Sequence, residues 1–124
     1  MYLLLAASDT QERTALRWLF EQDPELAIVG ETARVDTLLT QAQAIRPDLV
    51  LLDWELPGMQ RADFLQALHR LGHPLQVVAF GTRPEACPDA LAAGANAFVS
   101  KDEPVEELLK TVRSVGGLSP YIVG

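Results

Sequence analysis

"RPDLVLLDWELPGM", residues 46–59, carries the reading that decides the fold: a proline turn, the run LVLLD, then a Pro-Gly turn. A short continuous apolar run bounded by turn residues is typical of a strand buried on both faces, the kind found in a parallel sheet covered by helices. Asp53 closes that run. An aspartate there is either a polar stop that accepts hydrogen bonds from turn amides, or a working carboxylate. The second reading arises because ligands of open α/β sheets bind just outside the carboxyl ends of the strands.

The same alternation extends in both directions. "YLLLA" (2–6) predicts a first buried strand, and Asp9 followed by Glu12 predicts a capping box opening a helix to about Glu21, with Ala15, Leu16, Leu19 and Phe20 inward. "LAIVG" (26–30) is a second strand, and helical spacing at Leu38, Leu39, Ala42 and Ile45 gives a helix from Val35 that the RPD turn ends. After the third strand (49–53), Phe64, Leu65 and Leu68 mark a helix to about Leu71, broken by "GHP". "LQVVAF" (75–80) is a fourth strand ended by Gly81, and a helix from about Pro84 to Ala93 is closed by Gly94. "AFVS" (97–100) is a fifth strand, and Pro104 opens a last helix to about Val115. Five strands alternating with five helices define an α/β protein with a doubly wound, five-stranded parallel sheet.

With 124 residues, 48% hydrophobic and 22% charged, the chain suits one domain that buries its own core. We read residues 1–116 as that domain and 117–124 as a C-terminal tail or linker remnant. No apolar run is long enough to span a bilayer, and the N-terminal run lacks the basic flank and length of a signal peptide, so a cytoplasmic protein without membrane contact is expected. Cys87, the single cysteine, has no disulfide or CxxC partner. A net charge of −7 argues against nucleic-acid binding, which needs clustered Lys and Arg for phosphates.

Residues just after the strands are therefore the candidates: Ala7, Ser8 and Asp9, then Asp53, then Gly81 and Thr82, then Lys101. Asp53 and Lys101 together, on two strands of one doubly wound sheet, are more specific than either alone. At these residues the chain resembles the receiver domains of two-component response regulators. The matching stretches are "RPDLVLLDWELPGM" (46–59), "ALAAGANAFVSKDEPVEELLKTV" (90–112) and "DPELAIVGET" (23–32), and the likeness covers essentially the whole chain. The Lys-Asp after the fifth strand and the "GG-LSP" tail look most like regulators that continue into a LuxR-type helix-turn-helix.

The resemblance implies a CheY-like (βα)5 fold with strand order 2-1-3-4-5. It also implies that Asp53 sits at the phosphoacceptor position, that Lys101 pairs with phosphoryl oxygens, and that Gly81 or Thr82 stands where a hydroxyl contacts the phosphoryl group. Phe98 falls at the switch aromatic, which is often a tyrosine and here has no hydroxyl. Carboxylate attack on an anionic phosphorus needs cations to gather the oxygens, which the family supplies as Mg²⁺ and a lysine.

The departures matter as much. Ala7 and Ser8 occupy the positions of the two acids that hold Mg²⁺, and neither a methyl nor a hydroxyl replaces the hard oxygens that ion takes. Asp53, Glu55 and Asp9 remain as metal candidates, with weak Mg²⁺ binding expected. Asp9 has a competing role as helix N-cap and Glu55 as a solvated loop residue. Arg61 stands where the family usually has a small residue. The leading expectation is a non-enzymatic, atypical receiver that acts through protein–protein interaction with weak or no Mg²⁺-dependent phosphorylation. The alternative is a working receiver phosphorylated on Asp53 by a histidine kinase and regulating transcription. Partners on either reading are a histidine kinase, another signalling protein, or a second copy through the face of the fourth helix, fifth strand and fifth helix. A flavodoxin-like cofactor binder shares the strand order, but no Gly-rich or Ser/Thr-rich phosphate loop follows the first strand.

Overall fold

A computed structural model describes residues 1–58 and 61–119, without the side chains of Arg61 and Ala62. The reading of Arg61 near the site mouth therefore lies outside the described residues, as do residues 120–124. The strands are β1 (Tyr2–Ala6), β2 (Ala27–Thr32), β3 (Leu49–Asp53), β4 (Gln76–Gly81) and β5 (Ala97–Ser100). The helices are α1 (Thr10–Glu21), α2 (Val35–Ile45), α3 (Arg61–His69), α4 (Ala86–Ala93) and α5 (Val105–Val115). All strand pairs are parallel, in the order β2-β1-β3-β4-β5.

Period-two alternation divides the sheet into two packed layers. Leu4, Ala6, Val50, Leu52, Val77 and Ala79 face α2, α3 and α4, where Leu38, Phe64, Leu65 and Ala90 meet them. Leu3, Leu5, Leu49, Leu51, Val78 and Phe80 face α1 and α5, where Leu16, Phe20, Leu108 and Val112 meet them. Every residue of β3 is buried, as the unbroken apolar run requires. Its last residue, Asp53, thus comes to the sheet's carboxyl edge at the centre of the strand order, where β1 and β4 flank β3.

One expectation about burial is corrected. Ala15 is exposed on α1, whose inner face is carried by Leu16 and Phe20. The second strand, read as 26–30, runs from Ala27 to Thr32 at the edge of the sheet, where Ala27 and Val29 are exposed. Helix ends follow local chemistry: Asp9 caps α1, and α2 stops on Arg46 in the left-handed region at φ 55° because Pro47 follows. Beyond α5, the Leu118 amide donates to the Arg113 carbonyl at 2.7 Å, which folds the first residues of the tail back on the helix. None of the described helices is long and apolar enough to cross a membrane.

Candidate functional site

The loops after β1, β3, β4 and β5 converge at the carboxyl edge of the sheet. Asp53 is 2% exposed, and its Oδ1 accepts the Glu55 amide at 2.9 Å, so the strand-stop geometry is present. Its Oδ2 lies 3.2 Å from Lys101 Nζ. Parallel pairing of β4 with β5, continued by the Lys101 amide on the Gly81 carbonyl at 2.8 Å, delivers the lysine there. The structure therefore brings the two residues singled out in the sequence into one ion pair.

Two further carboxylates share that ammonium. Glu12 Oε1 is 3.2 Å from Lys101 Nζ and Glu55 Oε2 is 3.6 Å from it. The Lys101 head also lies 5.2 Å from the centre of the Phe80 ring. Burial works against the lysine's charge, but Asp53 and Glu12 outweigh it and hold its pKa above the usual lysine value.

Glu12 was expected to complete the capping box on the Asp9 amide. Its carboxylate turns to Lys101 instead, while Asp9 Oδ1 caps α1 by accepting from the Gln11 amide at 2.8 Å and the Glu12 amide at 3.3 Å. An acid three residues after an N-cap satisfies the capping pattern whatever it points at, so the pattern alone could not reveal this role.

Glu55 was expected to be a free, solvated loop residue; it is one-third exposed, but its carboxylate is bonded within the site. Its Oε1 accepts from the Thr82 amide at 2.8 Å and from the Thr82 hydroxyl, and these bonds draw its pKa below the usual glutamate value. Thr82 thus presents its hydroxyl to the site, whereas Gly81 is buried beneath the Phe98 ring. A Cβ added at Gly81 would meet that ring at 3.4 Å and the Trp54 Cβ at 3.5 Å. Phe98 itself is half-buried and packs on the layer that faces α2, α3 and α4.

The end of β1 is built differently from a metal cradle. Ala7 is fully buried in the core, and the Arg13 guanidinium donates to the Ala7 carbonyl at 2.6 Å and to the Ser8 carbonyl at 3.1 Å. A fixed cation therefore lies against the two positions where acids would be needed. Among the described residues, no group of three or more His, Cys, Asp or Glu side chains is arranged to hold a metal ion.

Desolvation raises the Glu12 pKa above its ordinary 4.5, with Lys101 only partly opposing it. A carboxyl whose folded pKa is raised favours the fold most below its unfolded pKa, and that contribution is lost as pH rises through the folded value. Glu12→Gln removes this dependence. The stability of the variant relative to the parent should therefore climb as pH rises from about 4 to about 6, measured by thermal melts at fixed ionic strength. A constant difference across that window would refute the assignment. Glu55, whose pKa is lowered, contributes in the opposite sense in both chains and cancels in the comparison.

The comparisons with known proteins fall on this geometry. The model of the response regulator receiver domain matches residues 3–113. The nitrate/nitrite response regulator protein NarL of Escherichia coli K12 is 30% identical over 112 residues, covering 89% of this chain and 52% of that protein. The DNA-binding transcriptional activator DevR/DosR of Mycobacterium tuberculosis is 35% identical over 106 residues, covering 84% and 49%. Among solved structures, a LuxR-family two-component response regulator from Aurantimonas sp. SI85-9A1 superposes with a TM-score of 0.85 at 22% identity, over 95% of this chain and 86% of that one. The chain belongs to the receiver domains of two-component response regulators, signalling domains that interact with histidine kinases and other signalling proteins. It spans about half the length of the curated regulators named above.

Proposed function

We propose that this receiver acts by binding a protein partner, without ordinary Mg²⁺-dependent phosphorylation of Asp53. The observation that carries this reading is the ownership of the charges. Among the described residues, the cation paired with Asp53 is Lys101, which is shared with Glu12 and Glu55, and Arg13 lies against the backbone where metal-holding acids would stand. Asp9 spends its carboxylate on the cap of α1, and Ala7 offers a buried methyl, so the donors present do not fit a six-coordinate Mg²⁺. A phosphodonor approaching Asp53 would meet three carboxylates and one ammonium already bound to them. Repulsion and not attraction governs that encounter.

The domain is residues 1–116, it has no catalytic activity of its own, and it works in the cytoplasm. The face of α4, β5 and α5 is the partner surface, where Leu91 is 48% exposed on α4. A histidine kinase, another signalling protein or a second copy of the chain would dock there. The test is direct. After incubation with acetyl phosphate and Mg²⁺, the intact mass should show no added phosphoryl group. An adduct that disappears in Asp53→Ala would overturn the reading and favour the alternative of a phosphorylated receiver, which rests on the retained 3.2 Å Asp53–Lys101 pair.

A further inference from the structure

Glu55 has a bonding pattern that no solvated loop residue needs. Among the described residues, the Lys101 ammonium, the Thr82 amide and the Thr82 hydroxyl stand at the site of Asp53 as donors for an anion. Glu55 engages all three, with one carboxylate oxygen on both Thr82 donors and the other 3.6 Å from Lys101 Nζ. Its own amide is bonded to Asp53 Oδ1 at 2.9 Å, so the carboxylate is tethered beside the acceptor position.

Any tetrahedral oxyanion lodged beside Asp53 would need these same donors, because a phosphoryl group brings three strong acceptor oxygens and close to two negative charges. We infer that Glu55 is an internal anion that fills the seat between Thr82 and Lys101. It excludes phosphate-like oxyanions from that seat and holds the loop after β4 in its bonded arrangement without chemical modification. The inference rests on the phosphate-independent reading above and gives it a physical agent. The Glu55 side chain, always present, fastens the loop to Lys101, and the Glu55 backbone amide holds that residue beside Asp53.

Charge and geometry both support the assignment. Glu55 is one-third exposed, so its seat opens to solvent and an external anion can reach it once the side chain is gone. Thr82 is exposed and lies outside the strand ladder, so its backbone N–H has no sheet partner. Its hydrogen bond to Glu55 is what should protect that amide.

The experiment compares Asp53→Asn with Asp53→Asn/Glu55→Ala, titrated with inorganic phosphate and followed by amide chemical shifts. Neither chain can be phosphorylated at residue 53, so an adduct on the parent chain would sink the proposed function and leave this comparison standing. Removing the seated carboxylate should raise phosphate affinity on the order of tenfold, close to the effect of one unit charge at short range when water screens it, as the one-third exposure of Glu55 requires. The Thr82 amide and the Lys101 side chain should shift most, and Thr82 amide exchange should quicken when phosphate is absent. Equal affinity in the two chains, shifts centred elsewhere, or no binding by the double variant would each overturn the inference. Glu55→Gln in the same background keeps the shape and removes the charge. It should show an intermediate gain, which separates the charge from the space it fills.

Discussion

Lys101→Met is expected to destabilise the protein by about 3 kcal/mol at neutral pH, and adding Asp53→Asn is expected to restore most of that loss. The two partners differ in how much each depends on the other. Asp53 is 2% exposed, and apart from the Glu55 amide its compensation comes from the Lys101 ammonium at 3.2 Å. Taking the ammonium away leaves a buried carboxylate facing Glu12 and Glu55, and an uncompensated buried charge is the costly outcome of breaking such a pair. The reverse change differs, because Asp53→Asn leaves Lys101 with two carboxylates and removes one of three mutually repelling anions. Its cost should stay below about 1 kcal/mol. Urea denaturation of the four chains forms a double-mutant cycle whose coupling term measures the pair. Single variants of equal cost, or a double variant no better than Lys101→Met, would show that Lys101 is not the counter-ion of Asp53.

The same asymmetry explains why the site was only partly legible in the sequence. Asp53 ends the buried strand β3 and Lys101 directly follows β5, so the parallel-sheet pattern alone placed them on one edge, and the structure joins them in one ion pair. Strand and helix order was legible for the same reason: β3, β5 and α2 fall on the residues read from apolar runs and helical spacing. The contacts of Glu12 and Glu55 depend instead on where long side chains turn once the loops are assembled. A helix N-terminus rewards an acid in its first turn whatever it touches, and a loop glutamate after a strand looks like any solvated residue. Ala15 was misplaced because helical spacing states that a stripe exists but not how wide it is. The inward stripe of α1 closes on Leu16 and Phe20, flanked by a half-buried Leu19. The exposure of β2 follows from its place at the sheet edge, which only the strand order reveals.

Arg113 carries the second large prediction, and no sequence motif announced it. On α5 the inward positions are Leu108, Leu109, Val112 and Arg113, so a guanidinium occupies a place on the apolar stripe with 2% exposure. A charge there must be answered, and Asp23 answers it with a fully buried carboxylate 2.5 Å away, aided by Glu25 at 2.7 Å and the Ser119 carbonyl. These bonds tie the α1–β2 turn, the last turn of α5 and the start of the tail into one unit. Asp23 Oδ1 meanwhile accepts the Glu25 amide at 2.9 Å, which shapes the turn itself. Arg113→Met keeps most of the aliphatic bulk and strands the Asp23 charge, so the melting temperature should fall on the order of 10 °C at pH 7. Asp23→Asn in the same chain removes the stranded charge, keeps an acceptor for the turn amide, and should recover a large part of the loss. If Arg113→Met melts within about 2 °C of the parent, the Asp23 charge is not left uncompensated by the change and the pair contributes no net stability. The paired variant then decides between a charge effect and a packing effect, because only the charge effect is reversed by Asn.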